Sequence, residues 1–427
     1  MKKGLLIMTL LFIISYTDSN AQFTRGIYGQ TNWFYNWTNF KPKTVVYNSP
    51  TNILTGIIST NTTLYKKYTY QLVGQVYVTN NAVLNIEAGT VIRGDKETGG
   101  ALIITKGAKI MAKGEVSDPI VFTSNNDDFE RKKGDWGGLV ILGSAPINRI
   151  GGEGILYSTL DPSYGKYGGV NKEESSGVLN YVRIEFAGKK VGQNKGLSGL
   201  LLAGVGSKTK IENIQISYCG SDSFQTLGGA VALNHLVSFR SNDDDFYFSQ
   251  GVDCTITNSI AIRHPFSSDN DGSRCLKLES YDSPQNMDYS KPFSKILASN
   301  ITLVNTEANE QGLVKEAISV SENTFLTVEN SVISGFKSPI LFGKNIKSTK
   351  EDLAKISLKN ILVNDCKLAY ETENRTSEFD SVFTSVFTTI PNKIETKSAT
   401  IETLFIQSNV KEETDFRLKN NTVVAEN

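Results

Sequence analysis

The stretches IENIQI (211–216), ITNSIAI (256–262), VENSVI (328–333) and LKNILV (358–363) share one pattern. An asparagine sits between apolar residues that alternate on both sides. Asn234, before Leu236 and Val237, and Asn300, before Ile301 and Leu303, extend the series. The asparagines Asn213, Asn234, Asn258, Asn300, Asn330 and Asn360 are separated by 21, 24, 42, 30 and 30 residues. Alternation with period two is the mark of a strand with one face inward. A corner residue recurring every 21–30 positions marks one supersecondary unit that is repeated and stacked. The interval of 42 reads as two rungs of 21, with Glu279 at the missing corner. The fold expected is all-β: a right-handed parallel β-helix with capped ends and looped insertions. At each corner an Asn amide can bond the backbone and its neighbour on the next rung, forming a structural ladder. A β-sandwich also has many short strands, but it does not require a recurring Asn.

The N-terminal half repeats more loosely. LVGQVYV (72–78), LNI (84–86), LII (102–104) and IVF (120–122) alternate or run apolar, and glycines at 89, 94, 107 and 114 punctuate them. WGGLVIL (136–142) and YVRIEF (181–186) continue the series. The only short helix expected lies within Lys347–Ile356.

Several stretches resemble a family. QLVGQVYVTNNAVLNIEAGTVIRGD (71–95), GALIITKGAKIMAKGEVSDPIVFTS (100–124) and GDWGGLVILGSAPIN (134–148) are similar to segments of Bacteroidota-type exported β-helix proteins. So are GLLLAGVGSKTKIENIQISYCGSDSF (199–224) and LVSFRSNDDDF (236–246), and the resemblance spans about residues 55–280. It implies a right-handed β-helix and an envelope or secreted location, with no established activity. Many such relatives look like surface lipoproteins or carry a C-terminal sorting domain. Here no Cys follows the leader, and the final RLKNNTVVAEN does not resemble a sorting domain.

Residues 1–21 read as a signal peptide. Lys2 and Lys3 precede an apolar run, Leu5–Ile14, and Ser19-Asn20-Ala21 offers a small-residue cleavage site. That run is too short to span a bilayer, which takes about 20 residues, and no later segment is apolar enough. The expected division is a leader (1–21), an N-terminal segment and cap (22–55), the β-helix (56–410) and a tail (411–427). The expected location is the periplasm, the cell surface or the medium. The chain carries 44 basic and 44 acidic residues, so no positive excess draws it to nucleic acid.

Two His and no Cys-x-x-Cys pair argue against zinc. The four cysteines, in an oxidising compartment, suggest a disulfide. Cys254 lies four before Asn258, and Cys275 lies four before position 279. Equal offsets on neighbouring rungs give Cα atoms roughly 5 Å apart, so a Cys254–Cys275 bridge is expected, with Cys219 and Cys366 unpaired.

Candidate chemistry gathers on one surface. Six places past the asparagines 213, 234 and 258 stand Cys219, Arg240 and His264; nine places past stand Asp222, Asp243 and Ser267. Stacking turns equal offsets into columns. Asp222, Asp243, Asp244, Asp245, Asp269 and Asp271 then form an acidic ligand-binding surface, beside Arg240, Arg263 and His264. Clustered carboxylates suit Ca²⁺, which takes six to eight oxygens, with Asp243, Asp245, Asp269 and Asp271 as metal ligands. A lyase would use such an ion on a sugar carboxylate, with Arg240 or Arg263 as base; His264 is a further weak candidate. Paired carboxylates would suit a glycoside hydrolase. A solvated acidic turn accounts for the same residues without a ligand. Trp33, Phe34, Tyr35, Trp37 and Phe40 read as a cap for the open end of the coil, with stacking on sugar rings as the alternative. Tyr157, Tyr164 and Tyr167 lie in a Gly-rich insertion that is either a binding loop or decoration.

Three functions follow, in order. The first is a non-catalytic binding or adhesion protein that recognises a glycan, a surface polymer or an outer-membrane partner. The second is a Ca²⁺-dependent polysaccharide lyase or glycoside hydrolase. The third is a structural subunit of an envelope assembly.

Overall fold

The computed structural model describes residues 24–419, apart from 157–159, 192–194, 270–271, 282, 308–310 and 390. The expected leader, Tyr157 and Asp271 lie outside the described residues.

The chain coils as a right-handed parallel β-helix with three strands to a rung. The first rung is β1 (Asn52–Leu54), β2 (Ile57–Ile58) and β3 (Thr62–Leu64). The second follows directly, Leu72 standing on Leu54, Val78 on Ile58 and Ile86 on Leu64. The middle face is a sheet of 11 parallel strands, one for each rung. The outer two faces merge into a 17-stranded sheet. They merge because many strands run through a one-residue corner into the next rung, as in Lys210–Ser217 and Phe325–Ser334. Inward residues form a continuous core: Leu72, Ile110, Ile184, Ile214, Leu303 and Val328 are all buried. Each such side chain contributes roughly 1.5–3 kcal/mol, which no rung could collect alone.

The corner explains the asparagines. Tyr181, Asn213, His235, Asn258, Asn300, Asn330 and Asn360 all have φ between +45° and +54°. L-residues enter this left-handed region at a cost of roughly 1–2 kcal/mol, and Asn tolerates it best. Two expectations need correction. Asn234 is one residue early: it pairs with Glu212 and Thr257, and His235 takes the corner. The interval of 42 is a single rung, because Asp253 faces Lys295 and Ile260 faces Thr302, so Asn300 stands directly on Asn258. Glu279 is therefore no corner. The ladder is also mixed. Asn360 Nδ2 donates to Asn330 Oδ1 at 2.8 Å and Asn258 Nδ2 lies 2.9 Å from Nε2 of the corner His235, but Asn258 and Asn300 also donate to the backbone carbonyls of Tyr28 and Thr24.

The same register removes the expected disulfide. Cys254 faces Val231 and Ile296 in the neighbouring rungs. Cys275 precedes a middle-face strand, where its N–H donates to the Ala317 carbonyl. The two thiols lie on different faces, and both are free and buried. Cys219 is also free and buried; Cys366 is free and half-buried.

The N-terminal segment is a strap, not an end cap. Arg25 pairs with Glu395 near the last rung, Ile27 N–H donates to Thr302 Oγ1 and Tyr28 N–H to Asn258 Oδ1. Asn39 exchanges hydrogen bonds with Gln215, and Thr51 reaches Thr69 beside the first rung. Phe34 and Trp37 thus cover the outward side chains of the first face, such as Val237, Ile260 and Val332. The C-terminal hairpin (Phe405–Gln407 with Asp415–Leu418) completes this cover. The Gly-rich insertion does the same for the middle face: Tyr167 is 1% exposed and bonds Gln250. A short helix forms at Lys350–Leu353. A longer one, Ser377–Phe387, closes the C-terminal end with Phe379, Phe383 and Phe387 packed around Phe342.

Candidate functional site: an acidic flank

The loops joining the first face to the middle face lie on one flank. They carry most of the polar residues singled out above. Register on the middle face fixes their order. Phe224, Phe246, Leu276 and Ile318 stack, so Asp222, Asp244, Arg274 and Glu316 form a column two places earlier. Asp244 N–H donates to Asp222 Oδ1 at 3.1 Å, and Arg274 N–H donates to Asp244 Oδ1 at 2.7 Å. Arg274 and Glu316 close the column as an ion pair at 2.7 Å.

Asp243 joins from the side. A carboxylate oxygen from each of Asp222, Asp243 and Asp244 lies within 4.8 Å of the others. Asp222 and Asp244 are 8% and 2% exposed. Lys277 Nζ is 3.2 Å from Asp244 Oδ2. Burial pushes the Asp243 carboxyl up to about 7, aided by the charges of Asp244 and Asp269. Burial, with the charges of Asp243 and Asp244, raises Asp222, and burial raises Asp244 against the pull of Lys277. Lys277 is held charged, although burial opposes it, because Asp244 and Asp222 face it. Asp269 sits at the rim, 4.0 Å from Lys190.

Offsets counted from Asn234 misplace two columns by one residue. Arg240 shares a column with Tyr218 and precedes the turn, its N–H donating to the Ile262 carbonyl. Its guanidinium lies over the Phe239 ring at 5.3 Å. Asp222 stacks on Asp244 and not on Asp243.

Asp245 and Arg263 leave the site altogether. Both side chains are fully buried, and they pair at 2.8 Å. Asp245 also accepts from Ser238 and Ser241. Arg263 donates to the carbonyls of Asp243 and Ser267, each at 2.8 Å. This pair ties two loops together and offers nothing to a metal or a substrate. Three consecutive aspartates thus divide, with Asp243 and Asp244 toward the cluster and Asp245 toward the core.

A second group on the same flank was not expected. Lys133 Nζ donates to Ser267 Oγ at 2.9 Å. Burial, with the positive Arg263 nearby, pulls its ammonium down to about 8. His264 is half-buried, 3.6 Å from Glu307, and burial with the charge of Arg240 lowers it, so it is neutral at pH 7. Nothing in RKKGDW (131–136) distinguishes Lys133 from its neighbours; only the coil brings it to this flank.

Residues 56–404 match the pectate-lyase-like β-helix domain. The chain belongs to that family. No curated protein and no solved structure matches it. In this pectate-lyase-like β-helix, the acidic flank combines aligned carboxylates with basic groups on loops held by a rigid coil. Fully ionised, the three carboxylates would exceed the single Lys277 ammonium by two negative charges, and burial raises all three carboxyls. Their hard oxygen donors fit a divalent cation of the Ca²⁺ type, with room in its shell for further oxygens.

Proposed function

We propose that the chain is an exported carbohydrate-binding β-helix. It grips an anionic polysaccharide through a Ca²⁺ ion held by Asp222, Asp243 and Asp244. The convergence of those three carboxylates within 4.8 Å carries the proposal. A cation there relieves their mutual repulsion and leaves coordination positions for a sugar carboxylate. The column Asp222–Asp244–Arg274–Glu316 runs along the coil axis at the rung spacing of roughly 4.8 Å, a preorganised row suited to a linear polymer. Binding ranks above catalysis because Arg263, one expected base, is locked on Asp245, and Arg240 stacks on Phe239.

Retention on an immobilised uronic-acid polymer, with and without Ca²⁺, tests this. Retention should require Ca²⁺ and should be lost in Asp243→Asn; Ca²⁺-independent retention would reject the ion's role. One observation favours a second reading, a lyase. Lys133 at a pKa of about 8 is neutral in part at pH 7 and can take a proton next to a sugar carboxylate. Unsaturated product that disappears in Lys133→Met would promote that reading over binding alone.

A further inference from the structure

The two ends of the coil are finished differently. At the C-terminal end three phenylalanines of the helix Ser377–Phe387 cover the last rungs. At the other end β1, β2 and β3 each pair with the second rung alone. Their far edges therefore present backbone N–H and C=O groups with no strand beside them among the described residues. Ile53 is 65% and Ile57 54% exposed. Leu54 and Ile58 point along the core columns yet are only half-buried, whereas Leu72 and Val78 beneath them are fully buried. The strap does not help, since it runs down the side and joins the coil at Thr51.

Sequence sharpens the contrast. No Asp, Glu, Lys, Arg or His occurs from Thr44 to Tyr65, in a chain that is 21% charged. Soluble solenoids need a polar terminal rung, and edge strands are normally protected by charge, bulges or a covering element. This rung is polar only through uncharged Ser, Thr and Asn; its edge carries no charge, and no strand or helix covers it among the described residues.

We propose that the first rung is the interface of a two-fold dimer, in which two copies of the chain pair end to end. Three points favour a second copy over another partner. An uncharged surface meets itself without like-charge repulsion and offers a charged partner nothing to select. A two-fold axis crossing the coil at the middle face reverses every strand and exchanges the other two faces. Hence β2 meets β2 antiparallel and β1 meets β3, and β1 and β3 are both three residues long. Finally, head-to-tail stacking is blocked by the C-terminal helix, so association closes at two copies and does not grow into a fibre. The fourteen residues from Thr51 to Leu64 are fewer than the roughly 20–30 a side of a standard interface, so the dimer should be reversible.

Sedimentation velocity of the chain over a micromolar-to-submillimolar series tests the proposal. The wild type should shift to twice the monomer mass. Ile57→Lys sets two ammonium groups opposite each other beside the axis, and should stay monomeric with an unchanged circular dichroism spectrum. As a second readout, Ile57→Cys should oxidise to a covalent dimer, whereas Ile53→Cys, facing β3 of the other copy, should not link to itself. A wild type that remains monomeric throughout overturns the proposal and assigns the end to another occupant or to none. So does a dimer that Ile57→Lys leaves intact.

Discussion

At the scale of single residues, the acidic flank makes a pH prediction whose sign is unusual for a carboxylate. The Asp243 carboxyl titrates near 7 in the folded chain and near its ordinary 3.8 when unfolded. The folded state therefore binds the proton more tightly. Its stabilising contribution is fully present below about pH 4 and is lost as pH rises through 7. Without Ca²⁺ the melting temperature should fall between pH 5 and pH 8. Asp243→Asn should flatten that slope, and Ca²⁺ at 100 times its Kd should restore about 2.7 kcal/mol at pH 8. Thermal melts at the two pH values measure all three. The buried pair behaves differently. Arg263→Met leaves Asp245 charged and unpaired in the core, which should cost about 3–5 kcal/mol, and Arg263→Met with Asp245→Leu should recover most of it. Denaturant titration of the two variants decides the point. The acidic flank was legible because Asp222 and the 243–245 run recur near one rung interval. The inward turn of Asp245 was not, because consecutive loop residues have no fixed period from which to read their direction. Lys133 was invisible because its environment is made entirely by distant loops.

At the scale of elements, the corner is the unit to perturb. Asn330 has φ +50° and accepts a hydrogen bond from Asn360. Asn330→Ala should cost about 1–2 kcal/mol from the left-handed backbone alone, plus the lost bond. Asn330→Gly should recover the backbone part only, so the difference between the two variants in urea unfolding isolates it. The corners at 213, 258, 300, 330 and 360 were readable because few residues besides Asn and Gly take this conformation cheaply. His235 was misread because Asn234 stands beside it and satisfies the same rule. The length of the rung between Asn258 and Asn300 was misread because loops at 264–275 and 279–294 add residues without adding a turn. The closing helix was missed although Phe379, Phe383 and Phe387 repeat every fourth residue. Their Ser and Thr neighbours resemble those of the strands around them. Phe383→Ala should cost about 3–5 kcal/mol. In hydrogen exchange it should expose the last rungs before the first.

At the scale of the whole molecule, the chain's termini do as much as the coil. The strap and the C-terminal hairpin meet over the first face, where Asn32 Nδ2 donates to the Thr414 carbonyl and Arg417 to the Gly29 carbonyl. This explains why first-face strands such as Thr302–Asn305 are buried on both sides. The aromatic cluster reads in sequence as a cover for an end, since sequence shows what a segment must bury and not where it travels. The coil, so clamped, holds the loops of the acidic flank in fixed register, and the proposed cation site depends on that register. Calorimetric titration of the chain with Ca²⁺ at pH 7.5 tests it most directly. The account expects one ion per chain in the wild type, binding lost in Asp243→Asn, and binding that weakens as pH falls below 7. Equal affinity in the wild type and Asp243→Asn, or no binding in either, would contradict it.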